Sequence, residues 1–397
     1  MMRVISDTSS LMVDEGAGSA TDQTQSKANH GFSPELQLWL VVLALMGFGF
    51  VMIYSASSAM ALKKFSDAGY YLKRQALFAG LGLTMLTIAR LIPYRVYRQL
   101  VYPILFSAVI GLILVLVPKL GVELNHAKRW LNLGLFLVQP AEFAKVAWLI
   151  YLSVSLTKKQ EKIKQFSIGF LPHILIYGIL CLLLLMEPDF GSCVVMGALT
   201  VLLLATGGVP WRYLLSLIPF AMVALYRFVY LVPYRWERIT AFLNPWVDPL
   251  DSGYHLIQAW IAVGSGGVWG KGLGAGQQKL FFLPEPFTDF IFAVVGEELG
   301  FAGVLILIGL FLMLFRTGLR IARNAPDLLG SLLALAMTLM LSLQALVNMG
   351  VVVGLFPTKG LPLPFISYGG SALVANCLAT GIVMNVARSG RRATDHV

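Results

Sequence analysis

The chain has 397 residues, of which 57% are hydrophobic and only 13% charged, with a formal net charge of +10. That balance excludes a soluble globular domain of this length and points to a polytopic membrane protein. Without a soluble basic module, the positive charge reads as membrane topology, and nucleic acid is not expected as a partner.

Residues 1–35 are rich in Ser, Thr, Asp and Gly and contain no apolar run. They lack the basic start and apolar core of a signal peptide, so they read as a disordered cytoplasmic tail. From Leu36 onward, apolar runs near the roughly 20 residues needed to cross a bilayer follow one another. The expected fold class is all-α, with about ten transmembrane helices near 36–57, 75–92, 101–118, 140–157, 168–186, 191–206, 213–231, 289–315, 329–355 and 370–387. The fifth and sixth are separated only by Glu187-Pro-Asp-Phe-Gly191, and the sixth is short for a crossing. The membrane domain thus extends over 36–388, with a cytoplasmic tail at 389–397.

An even number of spans puts both termini on one side. Lys158, Lys159, Lys162 and Lys164, with Arg90, Arg95, Arg98, Arg212, Arg316, Arg320 and Arg323, crowd the short loops on the side of the N-terminus. That bias places both termini in the cytoplasm. The basic residues of the other side are spread over longer stretches and mixed with most of the acids. Two of those stretches exceed a turn: Lys119 to Gln139, and a large periplasmic loop at about 232–288 between spans seven and eight. A loop that long in so economical a chain is usually functional.

Val263 to Lys279 has glycine at nearly every second position, a pattern that lets backbone amides turn inward around an anion such as a pyrophosphate. It lacks the spacing of a Walker loop or a dinucleotide fingerprint, and a flexible hinge or a close-packed loop is the alternative. Charged groups at or within the spans are functional hypotheses by default. Glu142 and Lys145 lie three apart on one helix face, where they can pair. Glu187 and Asp189 flank Pro188, and Glu297 and Glu298 lie inside the eighth span. For each group the alternative is an internal ion pair or helix cap. The apolar, Pro-rich loop from Leu355 to Ser371 is expected to fold into the bundle or line a cavity. Lys359 would then face a phosphate oxygen, or else snorkel to head groups. Cys181, Cys193 and Cys377 are single and without metal or redox spacing, and the five histidines form no ligand pair.

One carboxylate stands apart. Pro284 and Pro286 cannot lie inside a helix, so the eighth span starts just after them, and Thr288-Asp289 falls at the mouth of the membrane-spanning segment.

Taken together, Arg129-Trp130, Gln139-Pro-Ala-Glu142, Glu187-Pro-Asp-Phe-Gly191, Arg238-Ile-Thr-Ala-Phe-Leu-Asn-Pro245, Gly253-Tyr-His-Leu-Ile-Gln258, Gly272-Leu-Gly274, Leu283-Pro-Glu285, Thr288-Asp-Phe-Ile-Phe-Ala293, Glu297-Glu-Leu-Gly300 and Ile366-Ser-Tyr-Gly-Gly-Ser371 resemble the SEDS family (shape, elongation, division and sporulation proteins). The resemblance runs in family order from about Leu36 to Arg388. Pro357-Thr-Lys-Gly360 is more similar to the division branch than to the elongation branch. The family commonly has His-Thr-Asp where this chain has Phe287-Thr288-Asp289.

The resemblance implies an inner-membrane peptidoglycan glycosyltransferase at the division septum, polymerising lipid II with inversion. It implies Asp289 as the catalytic residue, taking the proton of the acceptor hydroxyl while undecaprenyl pyrophosphate leaves. Arg129, Glu142, Lys145, Lys271, Lys359 and Ser367 are candidate substrate-binding residues. No metal site is expected, and no cofactor beyond a loosely held Mg²⁺ or Mn²⁺. The implied partners are a class B penicillin-binding protein transpeptidase and other division membrane proteins. A lipid II flippase, a non-enzymatic division scaffold and an elongation-branch polymerase are the competing readings.

Overall fold

A computed structural model describes residues 32–124, 127–132, 134, 136–280, 282–357 and 360–394. The expected disordered tail therefore lies outside the described residues up to position 31. The first helices are α1 (Pro34–Phe65), α2 (Tyr70–Leu91) and α3 (Tyr97–Leu116). Then come β1 (Gly121–Leu124), β2 (Ala127–Asn132) and β3 (Leu137–Val138), and the helices α4 (Pro140–Lys158), α5 (Leu171–Met186), α6 (Phe190–Thr206), α7 (Trp211–Leu215) and α8 (Leu217–Leu225). After α9 (Pro233–Leu243) and α10 (Tyr254–Ser265), the chain ends in α11 (Ile291–Arg323), α12 (Leu328–Val352) and α13 (Gly370–Thr394).

Every expected span overlaps helix. Among the described residues, seven helical stretches are long and apolar enough to cross a membrane, and α6 is a shorter apolar helix. The remaining two expected positions are α2 and α4. Their departure has a reason in α4, which buries every residue from Pro140 to Leu156 except Phe143. A helix sheathed by protein does not need a purely apolar surface, so it can carry Glu142 and Lys145. At the other extreme, 211–230 is almost entirely unburied and is broken into α7, α8 and a wide turn over Tyr226–Tyr230.

Three expectations change. The fold is not purely α, because the stretch read as an outer loop from Lys119 to Gln139 contains a small antiparallel sheet of order β1-β2-β3. Its register pairs Val122 with Trp130 and Leu131 with Val138, and it delivers Arg129 to the bundle. The long outer region contains α9 and α10, so it is partly ordered helix rather than plain loop. Cys181 and Cys193 are bonded to each other between α5 and α6, while Cys377 is free and buried. Sequence spacing carried no sign of that pairing, because adjacency of two antiparallel helices is a tertiary fact.

The core forms where α13 packs along α2, α11 along α12 and α1, and α4 against α3 and α12. One element is not continuous. α11 is interrupted at Gly300, whose φ of 63° and ψ of −162° are not helical. A break deep in a span leaves orphan backbone groups that the hydrocarbon cannot satisfy. Here the carbonyls of Glu297 and Glu298 would ordinarily accept from Phe301 and Ala302, four residues on. Instead they accept from the amides of Lys271 and Gly272, both at 3.0 Å. The freed amides of Phe301 and Ala302 donate to the carbonyls of Gly267 and Val268 at 2.9 and 3.0 Å. The glycine-rich segment after α10 thus exchanges hydrogen bonds reciprocally with the broken helix.

Two glycines make that approach possible. A Cβ on Gly300 would lie 2.3 Å from the Gly270 nitrogen, and one on Gly270 would lie 2.1 Å from the Glu298 carbonyl oxygen. Both residues also have left-handed φ, a region costing other residues about 1–3 kcal/mol when it is strained. Gly300→Ala is therefore expected to lower stability by at least about 1–3 kcal/mol. Thermal melting in mild detergent reads this, and an unchanged melting temperature would show that the break tolerates a side chain.

Candidate active site

The carboxylates of Glu297 and Glu298 are fully buried beside the exchange. Glu297 accepts from Lys271 Nζ at 2.9 Å and from the amides of Gln277 and Gln278 at 2.8 and 3.1 Å. Glu298 accepts from Ser55 Oγ at 2.6 Å, Lys279 Nζ at 2.5 Å and the Gly274 amide at 3.1 Å. The glycine-rich amides do cradle anions, but these are the chain's own carboxylates. Lys271, exposed at the surface, belongs to the same set through its pair with Glu297.

This locked segment leads into Leu283–Phe290. Glu285 has φ of 50°, a left-handed conformation uncommon outside glycine. Its carbonyl accepts from the amides of Thr288 and Phe290, and its carboxylate from Thr288 Oγ1 at 2.8 Å. The three following carbonyls are each held from outside. The Phe287 oxygen accepts from the Tyr368 amide at 2.9 Å, the Thr288 oxygen from Ser367 Oγ at 2.5 Å, and the Asp289 oxygen from Asn348 Nδ2 at 2.9 Å. Asn348 Nδ2 also donates to the Leu361 carbonyl, and Ser367 Oγ accepts from the Leu363 amide. The backbone around Asp289 is thereby clamped by α12 and by the last loop. Phe287 is buried, its ring 4.5 Å from that of Tyr71 and 5.8 Å from that of Tyr368. The position where the family commonly has His serves here as an aromatic anchor.

The Asp289 side chain is a different matter. α11 begins with Phe290 as its N-cap, without a side-chain cap bond, so Asp289 is not the helix cap. Among the described residues no hydrogen bond to its carboxylate is found, and Gly360 passes so close that a Cβ there would lie 3.0 Å from Oδ2. The residue as a whole is half-buried, and its carboxylate is enclosed by protein. Burial, reinforced by the charge of Glu285, pushes its pKa up from 3.8 to about 7, against the opposing charges of Arg129 and Arg238. Its surroundings therefore hold a base near neutrality.

Arg129, from β2, donates Nε to the Glu187 carbonyl at 3.2 Å and Nη2 to the Pro188 carbonyl at 2.5 Å. It fixes the α5–α6 corner while its charge reaches Asp289. The Glu187 side chain is fully buried with neither oxygen hydrogen bonded, and burial plus Asp189 push its pKa up to about 8. Asp189 caps α6 through the Ser192 amide.

The other expected site residues divide clearly. Glu142 and Lys145 form a buried ion pair at 2.8 Å within α4. Ser367 works on the clamp that holds Thr288, and Lys359 lies outside the described residues. Asn348, Ser55 and Lys279 were missed by sequence reasoning. Asn348 and Ser55 are buried polar side chains inside apolar helices, a signal available in the sequence.

Residues 35–392 match the FtsW/RodA/SpoVE cell cycle protein family. The chain is 48% identical to a probable peptidoglycan glycosyltransferase FtsW of Geobacter metallireducens, over 89% of this chain and 94% of that protein. It is 41% identical to stage V sporulation protein E of Bacillus subtilis, over 90% and 98% of the two chains. Among solved structures, it superposes with TM-score 0.73 and 33% identity on a chain of a peptidoglycan synthase complex that coordinates polymerization and crosslinking, covering 88% of this chain and 96% of that one. The rod shape determining protein RodA of Thermus thermophilus gives a TM-score of 0.65 at 30% identity, covering 88% and 95%. By the extent of the match and the identity of these relatives, the chain belongs to the FtsW/RodA/SpoVE family, the group whose motifs its sequence resembles.

Proposed function

We propose that this chain is a peptidoglycan glycosyltransferase of the division branch, polymerising lipid II at the outer face of the inner membrane. The observation that carries the reading is the Asp289 carboxylate: backbone clamped, side chain unengaged by the described residues, and pKa near 7. Those are the properties a general base needs at physiological pH. Asp289 takes the proton from the acceptor sugar hydroxyl as that oxygen attacks the anomeric carbon of the donor, with inversion. Undecaprenyl pyrophosphate leaves, and Arg129 and Arg238 supply the positive field for its charge.

Among the described residues no three His, Cys, Asp or Glu side chains converge. In the membrane, α2, α4 and α6 complete a ten-span topology with the seven longer stretches, with both termini in the cytoplasm. The naming of the Geobacter relatives and the likeness to a synthase complex support the substrate class and a class B penicillin-binding protein as partner. Co-purification in mild detergent should recover such a transpeptidase; recovery of unrelated proteins alone would count against the partner.

Asp289→Asn is expected to reduce polymerisation of lipid II by about 10²–10⁴-fold, because an amide cannot accept the proton. Wild-type activity should rise with pH up to about 7, falling near tenfold per unit below it. The stability effect has the opposite sense. The folded-state pKa lies above the unfolded 3.8, so stability is greatest below about 4 and declines as pH rises to about 7. The Asp289→Asn variant should therefore melt higher than wild type at pH 8, with the gap narrowing at pH 5. Glycan strands made at equal rates by both proteins would remove Asp289 from the mechanism, and translocation of lipid II without polymer would favour a flippase. Depletion in cells should give filaments with incomplete septa, whereas round cells would assign the chain to elongation.

A further inference from the structure

The α3 and α4 helices leave between them, near the end of α4, a cavity that the proposed reaction does not use. Its volume is about 60 Å³, several times the ~10–15 Å³ that holds one water. Tyr102 of α3 and Tyr151 and Ser155 of α4 line it, and Lys158 and Lys159 stand at its rim. A cleft of that size accommodates one phosphate group. Ser155 is engaged with His173 Nε2 at 2.9 Å and Tyr151 faces Ser155, so the donors left for a ligand are the Tyr102 hydroxyl and the two ammonium groups.

Neither lysine forms an ion pair among the described residues, and the exposed Glu161, two residues on, pairs with neither. Lys158 Nζ lies 5.7 Å from the Tyr102 ring centre. Lys159 is half-buried, and burial alone pulls its pKa below the ordinary value. Their place at the C-terminus of α4 suits cations to the helix dipole. The dipole accounts for the charge but not for an aromatic-walled cavity beside it. The cavity also opens towards lipid: Tyr102 is exposed, and Leu100 and Phe106 are exposed apolar side chains on the same helix. Lys162 and Lys164 follow along the chain, and exposed Arg98 lies one turn before Tyr102. Aromatic residues and lysines grouped at a span end mark the head-group layer, where basic pockets between helices take anionic lipid heads.

We propose that this cavity binds a phosphate group at the membrane surface, that of an anionic phospholipid headgroup such as phosphatidylglycerol or, as the second source, inorganic phosphate. Lys158 and Lys159 neutralise the phosphate, Tyr102 donates to it, and the acyl chains follow α3.

The test is the melting temperature of the purified full-length protein in mild detergent, titrated separately with phosphatidylglycerol, phosphatidylcholine and inorganic phosphate. Phosphatidylglycerol should give a saturable rise that phosphatidylcholine does not. The double variant Lys158→Gln/Lys159→Gln should melt like wild type in phosphatidylcholine. It should need roughly 30-fold more phosphatidylglycerol for half the rise, each lysine contributing about fivefold. A rise with inorganic phosphate alone assigns the same site to a soluble anion. The control Lys162→Gln/Lys164→Gln, off the cavity, should keep most of the response. Three results overturn the proposal: equal effects of the two lipids with none from phosphate, a wild-type response from the first double variant, or an equal loss in the control.

Discussion

The placement of the loop bearing Asp289 depends on an exchange of four backbone hydrogen bonds between a broken helix and a glycine-rich segment. Opening α11 at Gly300 orphans two carbonyls and two amides within a span, where no water replaces them. The segment from Gly267 to Gly272 supplies all four partners, at distances ordinary for amide hydrogen bonds. Once that segment is bound, the chain that follows it has a fixed origin. Lys271 and Lys279 then secure it twice more through Glu297 and Glu298. The loop bearing Asp289 thus hangs from a fastened frame, and its own three carbonyls are held at the far end.

The buried acids show how strongly surroundings decide the role of one chemical group. Glu297 and Glu298 are each met by three donors, which satisfies their charge in a dry environment. Glu142 has its cation one helical turn away, and Asp189 has a helix terminus. Asp289 and Glu187 share the opposite situation, burial with too few donors, and both are driven towards the neutral form. They differ in burial: Glu187 is fully buried, whereas Asp289 is half-buried.

Much of this was legible in the residues. Hydropathy marked the helical segments because lipid imposes length and apolarity on each one, and Pro284 with Pro286 placed the start of α11 within two residues of the expected position. The motif around Asp289 was equally visible. What could not be read was the direction in which polar groups face. The alternating glycines that fit a phosphate cradle also fit a protein carboxylate, and only the proximity of α10 to α11 decides between them. Likewise, Lys271 and Ser367 had the chemistry of ligand contacts, and the fold pairs both with groups of the chain itself. The small sheet around Arg129 escaped because its strands are only two to six residues long, too short for alternation to register.

The Cys181–Cys193 bond spans 12 residues centred on the Glu187–Asp189 corner. With the bond intact, that corner is held covalently on one side and by Arg129 on the other. Thiol reductants would leave the guanidinium as the main fastening of a turn that contains a sealed, unpaired carboxyl group. Preparations handled with and without such reagents are therefore chemically distinct molecules at this corner, although their sequences are identical.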